Sequence, residues 1–151
     1  MIKKYRAACA EDTERIGKEL AALLDERGID RAFIALYGEM GVGKTAFSRG
    51  FCSHFGIGNV KSPTYTVLNE YRGRRRVHHF DFYRITDGDD LYSIGYDDII
   101  EEDGYSLGEW SENISDFLPE DTVRVRISRL TSDKTAEEGL RDIEIDLGNL
   151  I

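Results

Sequence analysis

The sequence is poor in the features of disulfide-rich and membrane proteins. Its 151 residues include two cysteines, Cys9 and Cys52, which are too few for a disulfide framework or a cysteine-based metal site. No run of about 18 apolar residues is present that would cross a membrane. The N-terminal segment also lacks the apolar stretch of about seven residues that is typical of a signal peptide. We therefore expect a reducing, cytoplasmic compartment and no membrane partner.

Basic residues are scarce relative to acidic ones. The chain has 20 Lys and Arg against 29 Asp and Glu, a formal net charge of −9. Proteins that hold nucleic acid over a broad surface neutralise its phosphates with Lys and Arg. We therefore expect no DNA binding, and expect any role with RNA to be local or to pass through a partner. The length fits one domain, residues 1–151, with a sizeable core.

The most specific motif is the glycine-rich stretch Gly38 to Thr45. It follows the apolar run Ala32 to Tyr37 and leads into a helix-like segment, so it lies at a strand-to-helix junction, where a phosphate-binding P-loop belongs. In a P-loop the backbone N–H groups face the phosphates, the lysine reaches the β and γ oxygens, and the Ser or Thr hydroxyl holds Mg²⁺. The motif therefore predicts a nucleoside triphosphate site, with Lys44 and Thr45 in these roles. The residues predicted to surround the nucleotide phosphates are Glu39, Met40, Gly41, Val42, Gly43, Lys44, Thr45 and Ala46.

The pattern of apolar residues predicts an α/β fold. Apolar runs and alternation indicate strands, and apolar residues at i, i+3 and i+4 indicate helices. Strands are expected near residues 2–7, 32–37, 64–71, 77–83, 105–110, 123–130 and 141–147, and an exposed loop over 131–139. Helices are expected over 11–27 and 45–55, with short ones within 87–102 and over 112–118. These elements predict a three-layer P-loop NTPase-like domain with a mixed β-sheet.

A basic segment, Arg72 to Arg76, separates two of the predicted strands. Four of its five residues are arginine, and it is expected at the tip of an antiparallel hairpin. A solvated turn is one interpretation of this segment. A docking point for tRNA or for an acidic partner surface is the other.

Two carboxylates are candidates for the chemistry that a P-loop cannot perform alone. Hydrolysis also needs an acid near the metal and a group that positions water. Asp81 and Glu109 each follow a predicted strand and are expected at the carboxyl edge of the sheet, where α/β proteins bind ligands. Each could instead be a solvated carboxylate or a helix cap. His78 and His79 precede Asp81, but neighbours on a strand point to opposite faces, so at most one could join a metal site.

A further candidate is the segment Ser62, Pro63 and Thr64. Its hydroxyl groups could sense a γ-phosphate, as switch segments do. The alternative is a plain turn that leads into the hairpin.

Four motifs follow one another along the chain. They are Gly38 to Thr45, then Ser62 to Thr66 continuing to Asn69-Glu70-Tyr71, then His79 to Arg84, and then Glu109-Trp110. Together, over roughly residues 13–110, they resemble the TsaE family, the small ATPases of bacterial tRNA threonylcarbamoyladenosine biosynthesis. Phe82 replaces the leucine of the family's His-x-Asp-Leu-Tyr-Arg pattern, which is a conservative apolar change. Beyond Trp110 the chain offers only a compatible strand pair.

The resemblance implies a function. It implies an ATPase that uses ATP and Mg²⁺ and joins the TsaB and TsaD proteins. TsaD installs the threonylcarbamoyl group on an adenosine beside the tRNA anticodon, and hydrolysis by the ATPase resets the complex. Contact with tRNA would thus be indirect, through the partners.

The resemblance also implies residue roles. Lys44 would hold the β and γ phosphates, and Thr45 would ligate Mg²⁺. Glu109 would ligate the metal or orient water, with Asp81 beside it as a Walker-B-like acid, and which of the two touches the metal stays open. Ser62, Pro63 and Thr64 would form the switch loop, and Thr13 would lie near the adenine side.

The alternative function is that of a small P-loop kinase acting on a metabolite hydroxyl. Such enzymes usually need an arginine-rich lid, whereas residues 87–102 are acidic. The guanine-reading Asn/Thr-Lys-x-Asp motif of GTPases is absent. P-loop NTPases without an arginine finger are slow, and a finger supplied in trans adds about 10³ to 10⁵ in rate. We therefore expect weak ATPase activity alone and stimulation by partners.

Overall fold

The computed structural model describes residues 1–39, 41–61, 67–129 and 140–151. In these residues seven strands form one sheet, in the order β1-β7-β6-β2-β5-β4-β3. The strands are β1 (Ile2–Ala7), β2 (Arg31–Tyr37), β3 (Leu68–Arg72), β4 (Arg76–Asp81), β5 (Gly104–Glu109), β6 (Val123–Arg129) and β7 (Arg141–Asp146). The central strands β6, β2, β5 and β4 are parallel, and the outer pairs β1–β7, β7–β6 and β4–β3 are antiparallel. The predicted mixed sheet is therefore confirmed.

The helices cover the sheet in two separate layers. They are α1 (Ala10–Glu26), α2 (Lys44–Ser53), α3 (Gly88–Ser93), α4 (Tyr96–Glu101) and a 3₁₀ helix, Ser111–Phe117. Side chains alternate between the faces of a strand, and on β2 Ile34 and Leu36 pack with α1 and α2, whereas Phe33 and Ala35 pack with the short helices. The predicted three-layer α/β arrangement is thus present. No helix in the described part of the chain is both long and apolar enough to cross a membrane.

The helix α1 positions α2 through very close backbone contact. Its buried stripe includes Ile16, Leu20 and Leu24, which lie four residues apart and therefore share one face. A Cβ atom placed on Gly17 would lie 2.2 Å from the Phe47 carbonyl oxygen, and one on Gly50 would lie 1.8 Å from the Glu14 carbonyl oxygen. Only glycine permits this approach. The helix that follows the glycine-rich loop is therefore fixed against the sheet by α1.

The strands β4 and β5 end earlier than the sequence predicts, and both ends have local causes. The strand β4 stops at Asp81, two residues before the expected end, because the Asp81 carboxylate accepts a hydrogen bond of 2.9 Å from the Tyr83 N–H and turns the chain. The strand β5 stops at Glu109 because Trp110 has a φ of 59°, a left-handed conformation outside the β region. The predicted loop over 131–139, and the predicted strand residues 64–66 and Leu130, lie outside the described residues.

The arginine hairpin, Arg72 to Arg76, folds back onto its own chain. Arg75 Nη1 lies 2.9 Å from Asp30 Oδ1, and Arg76 Nη1 lies 2.6 Å from Glu102 Oε2. The Arg74 N–H donates to the Phe55 carbonyl at 2.9 Å, and the Arg74 guanidinium lies 3.5 Å from Asp25 Oδ2. The hairpin tip is therefore an ordered ion-pair cluster at the amino end of the parallel strands.

Candidate functional site

The glycine-rich loop connects β2 to α2 and needs glycine at several points. Gly41 has a φ of 76° and Gly43 a φ of 123°, which are values that residues with a side chain rarely adopt. The Val42 N–H donates to the Glu39 carbonyl at 3.2 Å, so the loop curls back on itself. A curled loop of this kind points backbone N–H groups into a concavity that favours anions.

Lys44 is the first residue of α2 and is the cation of the loop. The residue is 6% exposed, and Nζ lies 4.6 Å from the centre of the Trp110 ring. Thr45 and Ala46 follow in the first turn of α2. The buried ammonium group therefore lies over an aromatic ring, a favourable place for a cation.

The strand register brings the two candidate carboxylates together. Asp81 on β4 lies directly opposite Glu109 on β5, and Glu109 lies opposite Leu36 on β2. On β4, Asp81 points to the same face as Val77 and His79, and on β5, Glu109 points to the same face as Tyr105 and Leu107. The apolar members of these two sets pack with α1 and α2. Asp81 and Glu109 therefore share the sheet face from which the loop and α2 rise.

His79 fixes the position of Glu109. Its Nε2 lies 2.8 Å from Glu109 Oε2, and the imidazole is fully buried. His78 lies on the opposite face, near Phe80, and burial lowers the pKa of its imidazole. The prediction that the two histidines point to opposite faces is therefore confirmed, and His79 is the one that adjoins the candidate site.

The electrostatic setting of Asp81 is unfavourable for a negative charge. Burial raises the pKa of the Asp81 carboxyl, and the neighbouring Glu109 carboxylate raises it further, whereas the Tyr83 N–H bond and Lys44 lower it. Carboxylates with raised pKa values in a cleft are typical of functional sites. A cation bound beside Asp81 would relieve this cost.

Glu112 is a third acid of the site, and the sequence reasoning missed it. Although the residue as a whole is exposed, partial burial raises the pKa of its carboxyl, and the Lys44 ammonium opposes that shift. Glu112 follows Glu109 by three residues at the start of the 3₁₀ helix. That spacing after a strand end was the available signal, because the chain there turns back toward the edge of the sheet.

The other predicted residues fall in two groups. Thr13 on α1 is buried, and its Cγ2 lies 3.7 Å from the place where a Cβ on Gly43 would lie, so it adjoins the loop. Glu39 is exposed at the start of the loop. Met40 and the predicted switch residues Ser62, Pro63 and Thr64 lie outside the described residues.

The side chains present fit a nucleotide with Mg²⁺. In the residues that the structure describes, no cluster of three or more His, Cys, Asp or Glu side chains could hold a metal unaided. Mg²⁺ usually binds through one or two carboxylates together with substrate phosphates and water. A Thr45 hydroxyl and one or two acids at a curled glycine loop are a donor set of that kind, and the Lys44 ammonium suits the phosphates.

The fold and this site define the chain as a P-loop NTPase-like α/β protein. A family model described as "Threonylcarbamoyl adenosine biosynthesis protein TsaE" matches residues 7–138. The chain belongs to the TsaE family.

Individual relatives support this assignment. The chain is 40% identical over 116 residues to the tRNA threonylcarbamoyladenosine biosynthesis protein TsaE of Haemophilus influenzae, which covers 75% of this chain and 73% of that protein. It is 34% identical over 129 residues to the protein of the same description from Treponema pallidum, covering 85% and 92% of the two chains. A crystal structure of Bacillus subtilis YdiB matches with a TM-score of 0.73 at 28% identity, covering 99% of this chain and 88% of that one.

Proposed function

We propose that this protein binds and hydrolyses ATP with Mg²⁺, and that hydrolysis serves tRNA threonylcarbamoyladenosine biosynthesis by acting on a complex of TsaB and TsaD. The observation that carries the proposal is the β4–β5 register, which sets Asp81 beside Glu109 on the face that bears Lys44. The relatives described as tRNA threonylcarbamoyladenosine biosynthesis proteins support the pathway. Because the substrate of that pathway is tRNA, the proposed place of work is the cytoplasm.

In this proposal the loop and α2 bind the phosphates. The loop N–H groups and the start of α2 supply partial positive charge, and Lys44 leaves the Trp110 ring to contact the β and γ oxygens. Thr45 supplies a hydroxyl ligand to Mg²⁺, which when bound neutralises phosphate charge during transfer to water. Thr13, next to Gly43, is assigned to the nucleoside side of the loop.

The acids position the metal and the attacking water. Asp81 and Glu109 divide these two tasks between them, and His79 keeps the Glu109 carboxylate in one orientation. Glu112, near Lys44, adds negative charge at the rim. Three carboxyls around one lysine are an unfavourable set without a bound cation, which supports a site built to receive Mg²⁺.

Charge stabilisation from this chain alone is modest. Among the described residues, Lys44 is the one basic side chain that lies over the Trp110 ring and acts on the Glu112 carboxyl. Arg84 is exposed. An arginine supplied by a partner would add charge where it develops and raise the rate by about 10³ to 10⁵. The proposal therefore includes slow hydrolysis alone and faster hydrolysis with TsaB and TsaD.

The test measures phosphate release from ATP by the purified protein, alone and with TsaB and TsaD, together with modified adenosine formed on unmodified tRNA. We expect stimulated hydrolysis and repeated rounds of modification, with both lost in Lys44→Ala. Lys18→Ala, which removes an exposed lysine of α1, is the matched control and should behave as wild type. Hydrolysis that ignores the partners, with modification that proceeds without this protein, would favour the small-kinase alternative.

A further inference from the structure

The outer side of the glycine-rich loop is held by arginines from the strand pair β6–β7. Arg141 Nε donates to the Val42 carbonyl at 2.9 Å, and Arg129 Nη2 lies 3.5 Å from the Gly41 carbonyl. The two arginines are directly opposite each other in the β6–β7 register. Both therefore reach the same loop from adjacent strands.

These contacts supply the hydrogen-bond donors that a phosphate-binding loop needs on its outer side. When successive N–H groups point inward toward an anion, the carbonyl groups of the same peptides point outward and need donors of their own. Val42 is 2% exposed, so water has little access to this peptide. A guanidinium group has donors and no acceptor, which suits it to a row of carbonyl oxygens.

The strand β6 presses against the loop at a second point. A Cβ atom on Gly38 would lie 2.6 Å from the Ile127 carbonyl oxygen and 2.7 Å from Val42 Cγ1. The loop is thus packed against β6 at its start and held by Arg141 at its middle. Its conformation depends on this strand pair as well as on its own glycines.

We propose that Arg141 is a positioning residue for nucleotide binding, which holds the Val42 carbonyl outward so that the loop N–H groups face the phosphates. It acts from behind the loop and contacts no reacting atom. Arg141 lies beyond the residues 7–138 that the family model matches, so the assignment rests on the geometry of this chain. The inference rests on the proposed nucleotide function.

The test compares nucleotide affinity with stability in two variants. Arg141→Gln removes the charge and the Nε donor, and Arg141→Lys keeps the charge without the guanidinium geometry. We expect the Kd for Mg-ATP, measured by calorimetry, to rise about tenfold in Arg141→Gln and less in Arg141→Lys. The Tm of the nucleotide-free variants should stay within a few degrees of wild type, and kcat at saturating ATP should change less than KM.

The matched control is Arg6→Gln on β1, the strand next to β7. Arg6 pairs with Asp142 at 3.6 Å, and among the described residues it has no contact with the loop. This variant should leave the Kd unchanged. Wild-type affinity in Arg141→Gln, an equal loss in Arg6→Gln, or a large fall in the Tm of both Arg141 variants would each overturn the inference. Lys44→Ala distinguishes failure of the proposed function from failure of this inference. If Lys44→Ala binds Mg-ATP as tightly as wild type, the proposed function fails. Unchanged affinity in the Arg141 variants alone refutes only the positioning role.

Discussion

Charged side chains concentrate at both ends of the parallel strands, but the two concentrations differ in how they are satisfied. At the amino end, the arginine hairpin pairs with Asp25, Asp30 and Glu102 of the same chain. At the carboxyl end lie Lys44, Asp81, Glu109 and Glu112, and from here on the carboxyl edge means these four residues. There the lysine lies over an aromatic ring and its charge acts on nearby acids. Two of those acids have pKa values raised by burial.

The difference distinguishes charges that are neutralised by partners in the same chain from charges that await a ligand. Exposed ion pairs contribute little to stability, and they need nothing beyond one another. Partly buried carboxyls with raised pKa values oppose folding, so a protein retains them where they do chemistry. From the sequence alone, the basic hairpin and the acids Asp81 and Glu109 were each open to a functional and a structural interpretation.

The largest effect is expected at Glu109. Replacing it with Gln keeps an acceptor for His79 but removes the charge that would ligate metal or orient water. We expect phosphate release to fall about 100-fold or more, as when a group that stabilises the transition state is removed, with the Tm changed by no more than about 3 °C. Steady-state phosphate release and thermal unfolding provide the two readings. A variant that lost stability while keeping its turnover would show Glu109 to be structural.

A spectroscopic effect is expected at Trp110, the one tryptophan of the chain. Its ring now lies 4.6 Å from the Lys44 ammonium, and nucleotide would draw that cation to the phosphates. We expect saturable changes in tryptophan emission on titration with Mg-ATP, absent in Lys44→Ala. Unchanged emission alongside calorimetrically proven binding would mean that Lys44 keeps its contact with the ring.

At Asp81 we expect a substitution to stabilise the nucleotide-free protein. The pKa of Asp81 in the folded state is raised, so between the unfolded value near 3.8 and the folded value the native state binds more protons than the unfolded state. Stability therefore falls as pH rises through that window, and the full penalty applies above it. Asp81→Asn, which keeps an acceptor for the Tyr83 N–H, should raise the Tm of the nucleotide-free protein at pH 7 by about 2–4 °C.

That gain should shrink as pH is lowered through the raised pKa of Asp81, because the wild-type carboxyl then becomes neutral too. Asp98→Asn removes an exposed acid of α4 and serves as the control for a general effect of net charge. An equal gain in both variants, or a gain in Asp81→Asn that did not depend on pH, would contradict the assigned cause.

The smallest effect is expected at the arginine hairpin. Arg75→Ala removes the 2.9 Å pair with Asp30, whose side chain is largely exposed. We expect the Tm to fall by no more than about 2 °C, less at high salt, because exposed pairs are weak and screened. ATP hydrolysis should match wild type. A large loss of hydrolysis would mean that the two ends of the sheet are coupled.

The parts that were predictable from the sequence are those with local causes. The loop from Gly38, the buried strand β2 and the helix α2 follow from glycine spacing, an apolar run and helical periodicity in neighbouring residues. The strand order, the pairing of Asp81 with Glu109 and the partners of the arginine hairpin depend on contacts between distant segments. Arg141 was missed for that reason, because only the folded sheet brings it to the loop. Glu112 was missed although its spacing after Glu109 was a local signal.

The most direct test is calorimetric titration of Mg-ATP into the wild-type protein, Lys44→Ala and Arg75→Ala under one set of conditions. We predict saturable binding by the wild type and by Arg75→Ala with similar Kd values, and no measurable binding by Lys44→Ala. Equal binding by all three proteins, or loss of binding in Arg75→Ala alone, would contradict the assignment of the carboxyl edge as the nucleotide site.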